Sequence, residues 1–370
     1  MKKLKLTCAH AIVKHLIAQK ILIDGKKQPL FPGVFGIFGH GNVACLGQAL
    51  EENKDKLPTY RGHHEQNMAL TGVAYSRAKR RKQIFIATSS VGPGSTNLLT
   101  AAAVAMSNRI PILFLPGDTY ANRMPDPVLQ QVEHFNNPGI TANDAFKSVT
   151  RYFDRITRPE QILQSLPQAI QLMIDPADAG PACLSLCQDT QGETFDYPEE
   201  FFKERVHNIR RPKPDDFEIK KAAEKIKSCK NPIIISGGGV FYSDAMEELG
   251  NFAIKHNIPV TQTVMGYSTM KRDHSHFLGP IGGLGGKAAN NFAKKTDLAI
   301  AVGTKLADFT TGSWANFENP DFGLVSLNIT RHDANKHLAQ AVVGDAKVSL
   351  IELSNALGNW RANDDWYKKS

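Results

Sequence analysis

Glu65 is the only carboxylate in Arg61-Gly62-His63-His64-Glu65-Gln66-Asn67-Met68-Ala69, a run of imidazole, amide and apolar side chains. A carboxyl at a helix start can hold a proton for a ligand, or it can simply complement the helix dipole. Further along, Thr88-Ser89-Ser90-Val91-Gly92-Pro93-Gly94-Ser95-Thr96-Asn97-Leu98 puts glycines ahead of a helix. Free N–H groups at such a start can face an anion. It is not a Walker loop, because no Gly-Lys-Ser/Thr follows. Upstream, Gly36-Ile37-Phe38-Gly39-His40-Gly41-Asn42 ends a strand in glycines. His40, His63 and His64 can donate, accept or carry a proton near neutral pH, although a lone histidine is more often structural. Gln130, or Gln131 beside it, offers an amide.

These segments fall at strand ends or at the helix starts beyond them, where open α/β sheets hold ligands. Thr7 is placed to cap a helix running to about Gln19. Residues 20–32 read as a loop, with Asp24-Gly25 as a turn. Val34–Phe38, Ile84–Thr88, Pro111–Leu115 and Ala182–Leu186 read as strands. Helices are expected to about Glu52, over about His64 to Lys79 and over Leu98 to Ser107. This alternation predicts a parallel sheet covered on both faces. Around Gln191–Asp216 prolines and charges predict a linker. A second α/β unit follows, with a helix over about Phe217–Ser228, a helix over about Asp244–His256, and strands at Pro232–Ile235, Pro259–Gln262, Leu298–Val302 and Leu324–Asn328. The expected division is 1–190, a linker at 191–215, 216–357, and a polar tail at 358–370.

The length of 370 residues suits two such domains at roughly 150 residues each. Hydrophobic residues at 42% and charged residues at 22% exclude a disordered chain, a coiled coil and a collagen-like repeat. No apolar run reaches the roughly 18–20 residues that span a bilayer, and the basic start has no apolar stretch of a signal peptide behind it. The net charge of +8 lies mostly in residues 1–190. Its densest run, Arg77-Ala78-Lys79-Arg80-Arg81-Lys82, fits a solvated helix C-terminus. No nucleic-acid-reading motif accompanies it. The five scattered cysteines suit reduced thiols in the cytoplasm, with Cys183 and Cys187 as core residues instead of metal ligands. Gly237-Gly238-Gly239 lacks the full spacing of a dinucleotide loop and reads as a turn.

The His-Glu-x-x-x-Ala helix and the Thr-Ser-x-Gly-Pro-Gly-x-x-Asn loop resemble thiamine diphosphate (ThDP) enzymes of the acetohydroxyacid synthase group. Asn231–Gly239, Gly279-Pro280-Ile281-Gly282, Asp297–Thr304 and Asp308-Phe309-Thr310-Thr311-Gly312 extend the resemblance through the second unit. Leu115-Pro116-Gly117-Asp118, Pro125–Glu133, Asn143–Lys147 and Arg151–Ile156 point more narrowly to the branch that hydrolyses a cyclic 1,2-diketone in inositol catabolism, releasing a ring-opened deoxyuronic acid. The resemblance implies two doubly wound parallel-sheet domains, the first binding the cofactor's aminopyrimidine ring and the second a Rossmann-like central domain. It implies that Glu65 activates the cofactor by supporting a proton on the ring. A carboxylic acid in a dry pocket can do so, because burial favours its protonated form. It implies that Gly39, His40, Pro93, Gly94 and Asn97 shape the ring pocket, with His40, His63, His64 and Gln130 as substrate candidates.

The family also needs Mg²⁺ and a third domain, with Gly-Asp-Gly and a later Asn holding the metal and the diphosphate. That motif is absent. Gly117-Asp118-Thr119 has Asn143 at the right distance, but its third residue is wrong; Gly344-Asp345-Ala346 has no Asn suitably beyond it. No metal ligands are therefore expected in this chain, which should be inactive alone. The remaining half-site is expected from a longer polypeptide or a separate chain, and the functional unit from a dimer or tetramer. The alternatives are another synthase- or decarboxylase-like ThDP enzyme and a non-catalytic nucleotide-binding or assembly module.

Overall fold

In the first unit, neighbouring residues of each central strand point to opposite faces of the sheet. Ile86, Leu113 and Leu184 join one apolar cluster, while Ala87, Phe114 and Cys183 join another. Both faces are covered, which is why these strands read as nearly continuous apolar runs. The computed structural model describes residues 2–368. It forms two compact units, one through Ile209 and one from Arg210.

The first unit holds a seven-stranded sheet. Its order is Thr59–Arg61, Val34–Ile37, Ile86–Ser89, Leu113–Phe114, Ala182–Cys187, Gly117–Asp118, with Tyr152–Ile156 also paired to Ala182–Cys187. Every pairing in it is parallel. Three segments depart from the sequence reading. Residues 20–32 are not a plain loop: Gln19–Ile23 and Lys26–Pro29 pair antiparallel. Asp24 at φ +50° and Gly25 at φ +74° form the tight turn between them, the backbone that matches strand twist in a two-residue hairpin.

The expected linker at 191–215 is largely part of the first unit. Thr194–Pro198 pairs with Lys3–Thr7, and Arg205–His207 pairs with Gln19–Ile23. Tyr197 is fully buried there and donates its hydroxyl to the Pro159 carbonyl at 2.9 Å. The alternation Thr194-Phe195-Asp196-Tyr197 carried this strand signal, outweighed in the reading by the prolines beyond it.

In the second unit six parallel strands run in the order Phe277–Pro280, Val260–Gln262, Pro232–Ser236, Leu298–Val302, Gly323–Asn328, Gln340–Val343. Counted from Pro232–Ser236 this is 3-2-1-4-5-6, the order of dinucleotide-binding sheets. Its glycine loop, however, is closed on itself. The N–H groups of Gly237 and Gly239 donate to Val302 and Gly303 at 2.8 Å each. A Cβ on Gly239 would lie 2.6 Å from Gly303 Cα. These glycines serve close packing of two strand ends. The segment from 358 is not a free tail. Trp366 is buried, packs on Phe292 and donates to the Pro232 carbonyl at 2.8 Å. No helix among the described residues is long and apolar enough to cross a membrane.

Candidate active site

The floor of the site is the row of strand ends in the first unit. After Val34–Ile37 the chain turns through Gly39, at φ +56°, into a helical segment from Gly39 to Glu51. A π turn spans Val43–Gly47 within it, a distortion that often marks functional sites. Asn42 sits at its start, fully buried. Its amide donates to Thr88 Oγ1 at 2.8 Å, to the Ser89 carbonyl at 2.9 Å and to the Leu115 carbonyl at 3.3 Å. One side chain thus ties the helix to the ends of two further strand segments.

Above this floor, Glu65 is the first residue of the Glu65–Ala78 helix. Asn97 follows the short Pro93–Thr96 helix, whose backbone fixes its position through Asn97 N–H donating to Pro93 O at 3.1 Å. Asn97 Nδ2 donates to Glu65 Oε2 at 2.8 Å, and His64 Nε2 stands 3.4 Å from the same nitrogen. Glu65 Oε1 has no hydrogen-bond partner among the described residues. It faces Gly94, where a Cβ would lie 3.4 Å away. The carboxylate is therefore held at one oxygen and open at the other. It is only half-buried, so these residues alone do not make the dry pocket the sequence reading asked for.

The structure thus brings together Glu65, His64, Gly94 and Asn97. Gly39 lies beneath them in chain order and packs on Ser90, where a Cβ would meet Ser90 Oγ at 2.3 Å. Pro93 is exposed at the first turn of its helix. Gln130 reaches the same loop by two contacts: its carbonyl oxygen lies against Gly92, and its side-chain oxygen accepts from Ser90 Oγ at 3.3 Å. His40 and His63 are exposed, and neither has a hydrogen-bond or ion-pair partner among the described residues.

Gly92 is the tightest point. It has φ +63°, and a Cβ there would lie 1.9 Å from the Gln130 oxygen. Gly92→Ala is expected to cost about 2 kcal/mol through left-handed backbone strain and displaced chain. The melting midpoint of the first unit should fall by roughly 4–8 °C. Gly94→Ala, whose tightest neighbour is the Ser90 Cβ at 3.3 Å and whose backbone needs no positive φ, should move it by less than about 2 °C. Equal shifts in a thermal scan would refute this account.

A buried polar network, missed from the sequence, holds the loop from behind. Ser95 Oγ bonds Asn143 Oδ1; Asn143 Nδ2 donates to Gly117 O at 2.9 Å and to Ser185 Oγ at 2.7 Å. Ser185 Oγ donates to Asp118 Oδ2 at 2.5 Å, and Arg155 Nε donates to the same oxygen at 2.8 Å. Arg155 also donates to Asp144 at 2.8 Å and to Thr141 Oγ1 at 2.9 Å. Asp118 and Asn143, the pair noted for its metal-like spacing, are joined only through Ser185 Oγ, and the charge that pairs with Asp118 is the Arg155 guanidinium. Among the described residues no three His, Cys, Asp or Glu side chains gather as a metal site. Cys183 and Cys187 are buried in their strand, and burial pushes both thiols well above their ordinary range.

Comparison with known proteins gives the family of both units. The profile of the thiamine pyrophosphate enzyme N-terminal TPP-binding domain matches residues 20–137, and that of the central domain matches residues 219–353. Together they cover more than half of the chain, which belongs to the thiamine pyrophosphate enzyme family. Among its relatives are proteins named 3D-(3,5/4)-trihydroxycyclohexane-1,2-dione hydrolase. The one from Clostridium tetani is 48% identical over 366 residues, 99% of this chain and 57% of the relative. The one from Listeria monocytogenes serovar 1/2a is 47% identical over 360 residues, 97% and 56% respectively. The one from Clostridium perfringens strain 13 is 48% identical over 354 residues, 96% and 55%. The chain thus spans little more than half the length of these curated relatives.

Proposed function

We propose that this chain forms the aminopyrimidine-binding half of a ThDP- and Mg²⁺-dependent enzyme. The proposed reaction hydrolyses a carbon–carbon bond of trihydroxycyclohexane-1,2-dione and releases 5-deoxy-glucuronic acid, a step of inositol catabolism. The observation that carries the reading is the Glu65 carboxylate, held at Oε2 by Asn97 and open at Oε1 over Gly94. This arrangement fits an aminopyrimidine ring: a flat heteroaromatic needs one carboxyl oxygen free and no side chain over it. Bound there, ThDP supplies a carbon nucleophile and an electron sink for the cleaved bond. Glu65 Oε1 holds the proton shared with a ring nitrogen. Asn97 fixes the other oxygen, so the carboxyl cannot turn away. Gly39 and Gly94 keep the floor and wall free of side chains.

The Mg²⁺ and diphosphate ligands come from residues outside this half-site, on the same polypeptide or another. A second copy of the chain is the expected partner, and it would exclude water from the half-exposed Glu65. The five free cysteines suit a cytoplasmic protein.

Calorimetric titration of the 370-residue chain with ThDP and Mg²⁺ tests the half-site. No Mg²⁺-dependent binding is expected from the chain alone. Binding should appear when a diphosphate-binding domain from one of the relatives is added, and should be lost with Glu65→Ala. Tight Mg²⁺-dependent binding to the chain alone, or none in the mixture, would sink the reading. Turnover of pyruvate in preference to the cyclic diketone would assign the chain to another reaction of the group.

A further inference from the structure

The Pro93–Thr96 helix has four residues, too few to hold a shape unaided. Yet it sets both surroundings of the Glu65 carboxyl. Gly94 faces Oε1, and Asn97, at the helix end, donates to Oε2 at 2.8 Å. Pro93 and Thr96 are exposed, and Ser95 is the helix's one buried side chain. Asn97 therefore lies between two buried residues, Ser95 before it and Leu98 after it. The apolar contact of Leu98 fixes depth without direction. A hydrogen bond fixes direction, and the Ser95 hydroxyl makes one, to Asn143 Oδ1.

That bond has one polarity. Both hydrogens of the Asn143 amide are taken, by Gly117 O at 2.9 Å and by Ser185 Oγ at 2.7 Å, so its oxygen accepts and Ser95 donates. Asn143 is itself a fixed point, 1% exposed. Arg155 donates to Thr141 Oγ1 at 2.9 Å and to Asp144 at 2.8 Å, the two members of the capping box that starts the Ala142–Ser148 turn. Release of the short helix would also leave Asn97 a rival acceptor, because His64 Nε2 stands 3.4 Å from its amide nitrogen.

We propose that Ser95 and Asn143 are positioning residues for Glu65. Their bond sets the rotation of the short helix, so that the Asn97 amide takes Oε2 and Gly94 leaves Oε1 open. Neither residue touches the carboxyl. That the open oxygen serves a cofactor rests on the function proposed above; the positioning does not.

The test is solvent exchange of the Asn97 side-chain amide hydrogens, followed by NMR in the 370-residue chain with isotope-labelled asparagine and no cofactor. Glu65→Ala removes the acceptor and gives the rate of a released amide. Ser95→Ala should raise exchange by about tenfold toward that limit. Placed on Glu65→Ala, it should add less than about twofold. Ser185→Ala disturbs the same buried network but keeps the Ser95 bond, and should change exchange by less than about twofold. Ser95→Cys fills the same space with a weak donor, and it is read instead where Ser95→Ala loses a cooperative melting curve. Exchange that ignores the Ser95 variants overturns the proposal. So does an equal rise from Ser185→Ala, or a full rise on Glu65→Ala, since both mean a general loosening of the chain. In an assembly that turns over the cyclic diketone, Ser95→Ala should lower kcat by about tenfold with KM within about threefold, and an unchanged kcat there overturns the proposal too. An assembly that turns over nothing counts against the proposed function alone, because the exchange is read without ThDP or substrate.

Discussion

On the proposed function, Glu65→Gln should lower kcat for the cyclic diketone by about 10²–10⁴-fold in the ThDP-loaded assembly, the usual worth of a positioned acid–base group. The amide keeps the shape of the carboxyl and can still meet Asn97, but it has no acidic proton to share with a ring nitrogen. KM should change by less than about threefold, because a group that acts on cofactor activation contributes little to ground-state binding. The melting curve should be unaltered, since Glu65 is half-buried and bonded at one oxygen only. A kcat within about threefold of the parent would remove Glu65 from the chemistry and leave it as a helix-start charge.

The largest effect on stability is expected at Arg155. Asp118 is 1% exposed, and its Oδ2 takes a proton donor from both Arg155 and Ser185. Arg155→Met leaves that carboxylate buried without its counter-charge, a loss of about 3–5 kcal/mol. Set against a typical total of about 5–15 kcal/mol, this is enough to unfold a substantial part of the population in mild urea. Arg155→Met combined with Asp118→Leu should recover part of the loss, because no bare charge remains. A single variant that denatures within about 1 kcal/mol of the parent would show that the network carries little.

Asp144 gives the same network a pH signature. Burial pushes its carboxyl up, but hydrogen bonds from Lys147, the Thr141 N–H and Arg155 outweigh burial and hold it at about 2. Its folded value is depressed, so its contribution is fully present above its ordinary value. That contribution is lost as pH falls toward about 2. Asp144→Asn should flatten that acid limb.

The residues singled out in sequence were those that lie in compact motifs, and the structure brings Glu65, Gly94 and Asn97 together. Glu65, Gly94 and Asn97 were picked out by the resemblance their motifs carry, since a lone helix-start carboxylate and a glycine turn are ambiguous by themselves. The central strands of both sheets were legible because strands buried on two faces are written as apolar runs, whereas shorter, more exposed ones such as Thr59–Arg61 and Phe277–Pro280 were not. Arg155 and Asp118 were not legible as a pair. They are distant in sequence and meet only because parallel pairing brings their strands together. Residues 358–368 misled because Trp366 and Ala362, which anchor them, are scattered among charges.

Asn42 anchors the floor to backbone carbonyls, which every amino acid supplies. Thr88 is the one side chain among its three acceptors. Residues 119–131 hang instead from Asp189, from their own turns and, through Gln130, from Ser90. Substitutions can therefore accumulate along 119–129 while position 92 stays glycine, because its neighbour is the backbone oxygen of residue 130, which no side-chain change removes.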